Sequence, residues 1–230
     1  TDGSLYGQVE FYEVVQTTRP WTFSIAGLLR IPKPKDIDPG DVNNDKDLNV
    51  MIVSLNASNK VANIGQSAGI RGFNWIVIQE LSVGSEPDSV ALGDLDGDGD
   101  SDAIVANAGS NTLSVLITND SSGVWDEEIT VEVGDAPKSL SLLDYDGDGD
   151  LDLSVIATTD AGNRAVLVYR NDTSLNPGNS VTFALEQAFD EGQMTEAINQ
   201  FQTALSADPN NSDAYYNLAS SYYTLGKRTN

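Results

Sequence analysis

The chain contains no cysteine and no histidine. These two absences rule out thiol nucleophiles, disulfide frameworks, cysteine- or histidine-ligated zinc and serine–histidine triads within its residues. Basic residues are also scarce: 12 Lys and Arg stand against 35 Asp and Glu, for a net charge of −23. A surface this acidic repels a phosphate backbone, so nucleic acid is excluded as a partner. No apolar run is long enough to span a bilayer. The first residue is Thr1 and no leader-like segment follows it, so the sequence reads as a mature or excerpted chain. At 230 residues it is long enough for one or two domains with a real core.

The acids are not spread evenly. DLDGDGDSD (94–102) and DYDGDGDLD (144–152) carry an aspartate at every second position, and DVNNDKDLN (41–49) is a degenerate copy. Together the three stretches hold 13 of the 35 acids. Two like charges about 4 Å apart repel by ~1 kcal/mol in water and by ~4 kcal/mol at an effective dielectric near 20. A chain that gathers several therefore implies a counter-charge. In a D-x-[DN]-x-[DN]-G run, oxygens from positions 1, 3 and 5 turn into one concavity, and glycine at position 6 permits the sharp bend. Calcium, with about 6–8 oxygen ligands, suits such a site.

An EF-hand is rejected. Its loop needs a bidentate Glu at position 12, where this sequence has Ile52, Val105 and Val155. The flanks SVALGD and DAIVANA are strand-like, not helical. Asn49, Asp102 and Asp152 at position 9 can close the loop instead. The expected ligands are Asp94, Asp96, Asp98 and Asp102 with the Asp100 carbonyl, and Asp144, Asp146, Asp148 and Asp152 with the Asp150 carbonyl. In the first copy they are Asp41, Asn43, Asp45 and Asn49 with the Asp47 carbonyl. Side chains at position 7 are expected to face solvent. Two calcium sites and a weaker third follow, since Lys46 replaces the turn glycine of the first copy. An acidic, solvated turn is the plainer alternative for any single loop.

The neighbourhoods of the loops repeat as well. Pro87 matches Pro137 and Asp94 matches Asp144 at a spacing of 50, while Pro34 and Asp41 precede their counterparts by 53. A period near 50 indicates a solenoid, propeller or array. Within the middle copy four strands are expected, near 89–93, 102–107, 112–118 and 127–133. Four strands per period describe a propeller blade. DLDGDGDSD, DYDGDGDLD and the GDAP of 134–137 resemble the FG-GAP/VCBS repeats of integrin-type propellers and bacterial surface proteins. The resemblance covers about 34–180 and implies calcium loops within blade hairpins. A dockerin, suggested by DVNNDKDLN alone, is disfavoured by the spacing and the flanks.

Segments 7–15 and 21–32 read as the last two strands of an earlier blade. A partial blade (1–33) would then precede repeats at 34–86, 87–136 and 137–183, too few to close a ring. From 184 the pattern turns helical. Gly192, Ala197, Phe201, Ala204 and Pro209, then Tyr215, Leu218, Ala219, Tyr222 and Gly226, resemble a tetratricopeptide (TPR) repeat and the first helix of another. The expected fold is mainly β (1–183) with a three-helix TPR-like segment (184–230). Segment 174–180 is the expected hinge.

Remaining features are less specific. Trp21, Trp75 and Trp125 could stack on sugars but suit a core better. Four N-x-[ST] sequons begin at Asn56, Asn119, Asn171 and Asn210. No local motif nominates a catalytic acid or base. The reading is a non-catalytic, calcium-binding extracellular or cell-surface scaffold or adhesion module within a larger assembly or fibre, with other chains, homo-oligomeric neighbours or glycans as partners. The alternative is a carbohydrate-binding or carbohydrate-active calcium propeller.

Overall fold

The computed structural model describes residues 6–16, 22–42, 49–54, 61–67, 75–118, 125, 127–159, 162–172 and 181–190, and six residues between 198 and 206. An antiparallel pair, β1 (Tyr6–Gln16) with β2 (Thr22–Pro32), comes first. Three four-stranded antiparallel sheets follow, each made of consecutive strands in chain order. Sheet 1 holds β3 (Pro34–Gly40), β4 (Asn49–Ser54), β5 (Val61–Ser67) and β6 (Trp75–Leu81). Sheet 2 holds β7 (Pro87–Gly93), β8 (Asp102–Asn107), β9 (Thr112–Ile117) and β10 (Glu127–Glu132). Sheet 3 holds β11 (Asp135–Leu143), β12 (Asp152–Thr158), β13 (Arg164–Asn171) and β14 (Phe183–Asp190). The four strands expected in the middle copy match sheet 2 to within two residues at each end.

The second strands of sheets 1 and 2 and the third strand of sheet 2 are short apolar runs because both of their faces are covered. NVMIVS (β4), DAIVAN (β8) and TLSVLI (β9) are buried at every position. Sheet 2 lies between the other two. Met51 and Val53 of sheet 1 pack with Val90, Ala103 and Val105 of sheet 2. Ile104, Leu113 and Val115 of sheet 2 pack with Leu142, Leu153 and Leu167 of sheet 3. Trp125 is buried in the first of these layers, so it is a core residue. Its backbone N–H and C=O form reciprocal bonds of 3.3 and 3.4 Å with the Gln79 amide of sheet 1. Gly93 marks a close approach on the other side, since a Cβ there would lie 2.7 Å from Leu151 Cδ1.

The first strands stand side by side and are linked by a bond that recurs with the repeat. The Val90 N–H of β7 donates to Asp36 Oδ2 of β3 (3.1 Å), and the Leu140 N–H of β11 donates to Ser89 Oγ of β7 (3.2 Å). Asp36 and Ser89, and likewise Val90 and Leu140, occupy equivalent repeat positions. Leu92 N–H adds a bond to Asp38 Oδ2 (2.7 Å). Each acceptor satisfies an edge amide that would otherwise lack a strand partner. Ser89→Ala should therefore cost about 1 kcal/mol, read as a lower urea midpoint with unchanged slope. An unaltered midpoint would count against the inter-sheet bond.

One boundary is corrected. Helix was expected from 184, but Phe183–Asp190 is a strand paired with β13 from Ala165 to Asn171. FALEQAFD has no strong β composition; the unpaired edge of β13 supplies partners that outweigh its local preference. Beyond it, residues 198–199, 202–203 and 205–206 have helical backbone, with Ile198 and Leu205 buried. The Thr203 hydroxyl bonds the Asn199 carbonyl (2.9 Å). The rest of the expected TPR-like hairpin, the hinge at 174–180 and Trp21 lie outside the described residues. Among the described residues no helix is long and apolar enough to cross a membrane.

Candidate metal centre

Each acidic loop joins the first and second strands of its sheet, where the chain must reverse within a few residues. In the second loop, Gly97 N–H donates to Asp94 Oδ1 (2.8 Å) and Gly99 N–H to Asp94 Oδ2 (3.0 Å). Asp98 N–H donates to Asp96 Oδ1 (3.2 Å) and Asp100 N–H to Asp98 Oδ1 (2.9 Å). The third loop reproduces all four bonds through Asp144, Asp146 and Asp148. Glycine is required at two positions, not one. Gly97 and Gly99 have φ of +79° and +96°, and Gly147 and Gly149 have +82° and +101°. Open space surrounds Gly97, so the demand is for left-handed backbone and not for room. The paired glycines of D-G-D-G were the readable signal for the second position.

Position 9 does something the ligand pattern did not suggest. Asp102 is fully buried, and its two oxygens hold separate parts of the chain. Leu95 N–H, at position 2 of the loop, donates to Oδ2 (2.8 Å). Thr118, at the end of β9, donates its N–H (2.9 Å) and its hydroxyl (3.1 Å) to Oδ1. Asp152 repeats this with Tyr145 N–H (2.7 Å) and Asn171 N–H (2.8 Å). In the first sheet Val42 N–H donates to Asn49 Oδ1 (3.0 Å), so asparagine supplies the same acceptor. Position 9 is a clamp that closes the loop onto its sheet.

The expected ligands converge in part. Carboxylate oxygens of Asp94, Asp96 and Asp102 lie within 4.8 Å of one another, as do those of Asp144, Asp146 and Asp148. Asp98 is absent from the first cluster and Asp152 from the second. Asn43, Asp45 and Asp47 lie outside the described residues, leaving Asp41 and Asn49 as the described members of the first loop. Asp100 is 5 % exposed, which corrects the expectation that its side chain faces solvent. The end of the loop backs onto sheet 1, where a Cβ on Gly40 would lie 3.6 Å from Ser101 Oγ. Asp150 is partly exposed.

The Asp94–Asp96–Asp102 cluster holds an acceptor without a donor. Asp96 Oδ2 is buried without a hydrogen-bond partner. Its carboxyl is raised above the usual range, first by burial and then by the Asp98 charge. Burial pushes Asp102 up to about 7 and Asp152 up to about 6, against the lowering effect of their backbone donors. A buried acceptor with no donor, inside a group of carboxylates, fits a hard cation. Either group, Asp94, Asp96 and Asp102 or Asp144, Asp146 and Asp148, could hold a metal ion.

The raised values set a pH dependence for the metal-free protein. An acid whose folded pKa exceeds its unfolded value near 3.9 binds more protons when folded, so stability falls as pH rises. In chelator, the melting temperature should drop between pH 5 and pH 7.5. Excess calcium should reverse the trend, because protons then compete with the metal. A metal-free melting temperature that rises across this interval would contradict these carboxyl environments.

A second concavity, of about 370 Å³, runs along β3, β7 and β11 and is lined by Asp36, Asp38, Val90, Leu92, Ser139 and Ser141 among others. Asp36 and Asp38 already accept the inter-sheet amides.

Two family models match this chain. An FG-GAP-like repeat matches residues 94–155, which contain both complete acidic loops, and a TPR repeat matches residues 187–226. The TPR match begins within β14. No curated protein matches.

Proposed function

We propose that the chain, built from an FG-GAP-like repeat region and a TPR-repeat segment, is a non-catalytic, calcium-stiffened scaffold or adhesion module of the cell surface or extracellular space. The observation that carries this reading is the buried, partnerless Asp96 Oδ2 within the Asp94–Asp96–Asp102 cluster. The three sheets would be blades of one propeller arc, since their first strands line one concavity and their order follows the chain. Weak calcium modules work at about 10⁻⁴–10⁻³ M, a concentration found outside cells.

The TPR-like segment would contact another protein, a role TPR repeats often have. The β1–β2 pair has no further strand partner among the described residues and offers an edge for strand addition by a neighbouring copy. Calcium titration by calorimetry, a polysaccharide-cleavage assay and a glycan array test the reading together. Saturable calcium binding without turnover supports it. Reproducible cleavage lost on changing one Lys, Tyr or acid favours the carbohydrate-active alternative. Light scattering over a wide concentration range, with calcium present, tests assembly: a compact monomer throughout would remove the fibre.

A further inference from the structure

Sheets 2 and 3 each have an acidic loop clamped by its own position-9 aspartate, and one buried side chain joins the two assemblies. Asn171 closes β13 and is fully buried. Its N–H donates to Asp152 Oδ1 (2.8 Å), inside sheet 3. Its Nδ2 donates to the Leu95 carbonyl (2.8 Å), inside the loop of sheet 2 and 76 residues away in sequence. Leu95 N–H in turn donates to Asp102 Oδ2 (2.8 Å). Asp152, Asn171, Leu95 and Asp102 therefore form one chain of buried hydrogen bonds from loop to loop.

We propose that Asn171 is a positioning residue that couples the two acidic loops, so that a cation held by one raises the affinity of the other; this rests on the calcium reading above. Ordering loop 144–152 fixes Asp152 and, through it, the end of β13. The Asn171 amide then holds Leu95, the residue at position 2 of loop 94–102, which Asp102 grips from the other side. By linkage the effect is reciprocal. The equivalent residue in sheet 2, Thr118, makes no such bridge among the described residues. Its hydroxyl turns back onto Asp102 (3.1 Å) and the Ser101 carbonyl (3.5 Å) of its own loop. The link therefore belongs to the pair of loops in sheets 2 and 3.

The two arms of Asn171 can be separated, because replacement by Thr or Ala keeps the backbone N–H and loses the reach to Leu95. Asn171→Thr installs the residue found at the equivalent position of sheet 2, and Asn171→Ala is the second variant. Calcium chloride is titrated into the full chain, and the amide resonances of Gly97 and Gly99 report one loop while those of Gly147 and Gly149 report the other. Asp146→Ala disables the second loop. With Asn171 intact, Asp146→Ala should raise the calcium midpoint at Gly97 and Gly99 about fivefold, within the usual range of coupling. With Asn171→Thr or Asn171→Ala, adding Asp146→Ala should move that midpoint less than about twofold. Equal shifts in the two backgrounds, or none in either, would overturn the coupling while leaving calcium binding in place. Absence of any calcium response at all four glycines would overturn both the coupling and the calcium reading.

Discussion

Chelating calcium should lower the melting temperature of the β region more than any single surface substitution. Each cluster holds carboxylate oxygens within 4.8 Å of one another, and Asp96 Oδ2 lies buried without a donor. Without a cation this repulsion and desolvation remain uncompensated in the folded state. A ligand bound only to the native state stabilises it by about 2.7 kcal/mol when its concentration is 100 times the dissociation constant. For a chain of this size, each kcal/mol corresponds to roughly 2–4 °C, so one site alone is worth about 5–10 °C. Scanning calorimetry with and without chelator measures the difference. Asp96→Ala and Asp146→Ala should each remove one increment and make the protein less responsive to chelator. Identical melting curves in calcium and chelator would sink the structural role of the metal.

Asp102→Ala should be the most destabilising single substitution in the loops, by about 3 kcal/mol even in chelator. The residue is fully buried, and the change orphans Leu95 N–H and the N–H and hydroxyl of Thr118. An unsatisfied buried donor costs about 1–3 kcal/mol. Asp102→Asn should cost only about 1 kcal/mol under the same conditions, because one acceptor oxygen remains. The first sheet shows such an arrangement, with Asn49 holding Val42 N–H at 3.0 Å. In calcium both variants should lose a further, common increment if Asp102 is also a ligand, and the gap between them should persist. Urea denaturation in chelator and again in calcium separates clamp from ligand. Equal losses for Ala and Asn in chelator would show that Asp102 does not act through its hydrogen bonds.

The clamp at position 9 shows where legibility in the sequence stops. Spacing of acids revealed the loops, and it ranked Asp102 and Asp152 as ligands. Their buried hydrogen bonds to Thr118 and Asn171 join residues 16 and 19 positions apart. No local pattern announces that pairing. The Asn49 substitution was a faint hint, since asparagine at that position keeps an acceptor while losing charge.

The sequence by itself determined the repeat, the strand edges of sheet 2, the acidic loops and the need for glycine near their tips. Apart from the repeat these are local: short β-branched and apolar runs bounded by turn residues set a strand, and left-handed φ admits glycine most readily. Only the tertiary structure decided the rest. FALEQAFD became a strand because β13 presented an unpaired edge. Asp100 was buried because its loop ends against sheet 1. Asp36 and Ser89 became inter-sheet acceptors, and Asn171 reached Leu95, because packing brought distant strands side by side. A hydrogen bond between residues some 50 to 80 positions apart is specified by the whole fold, and a short window of sequence carries no record of it.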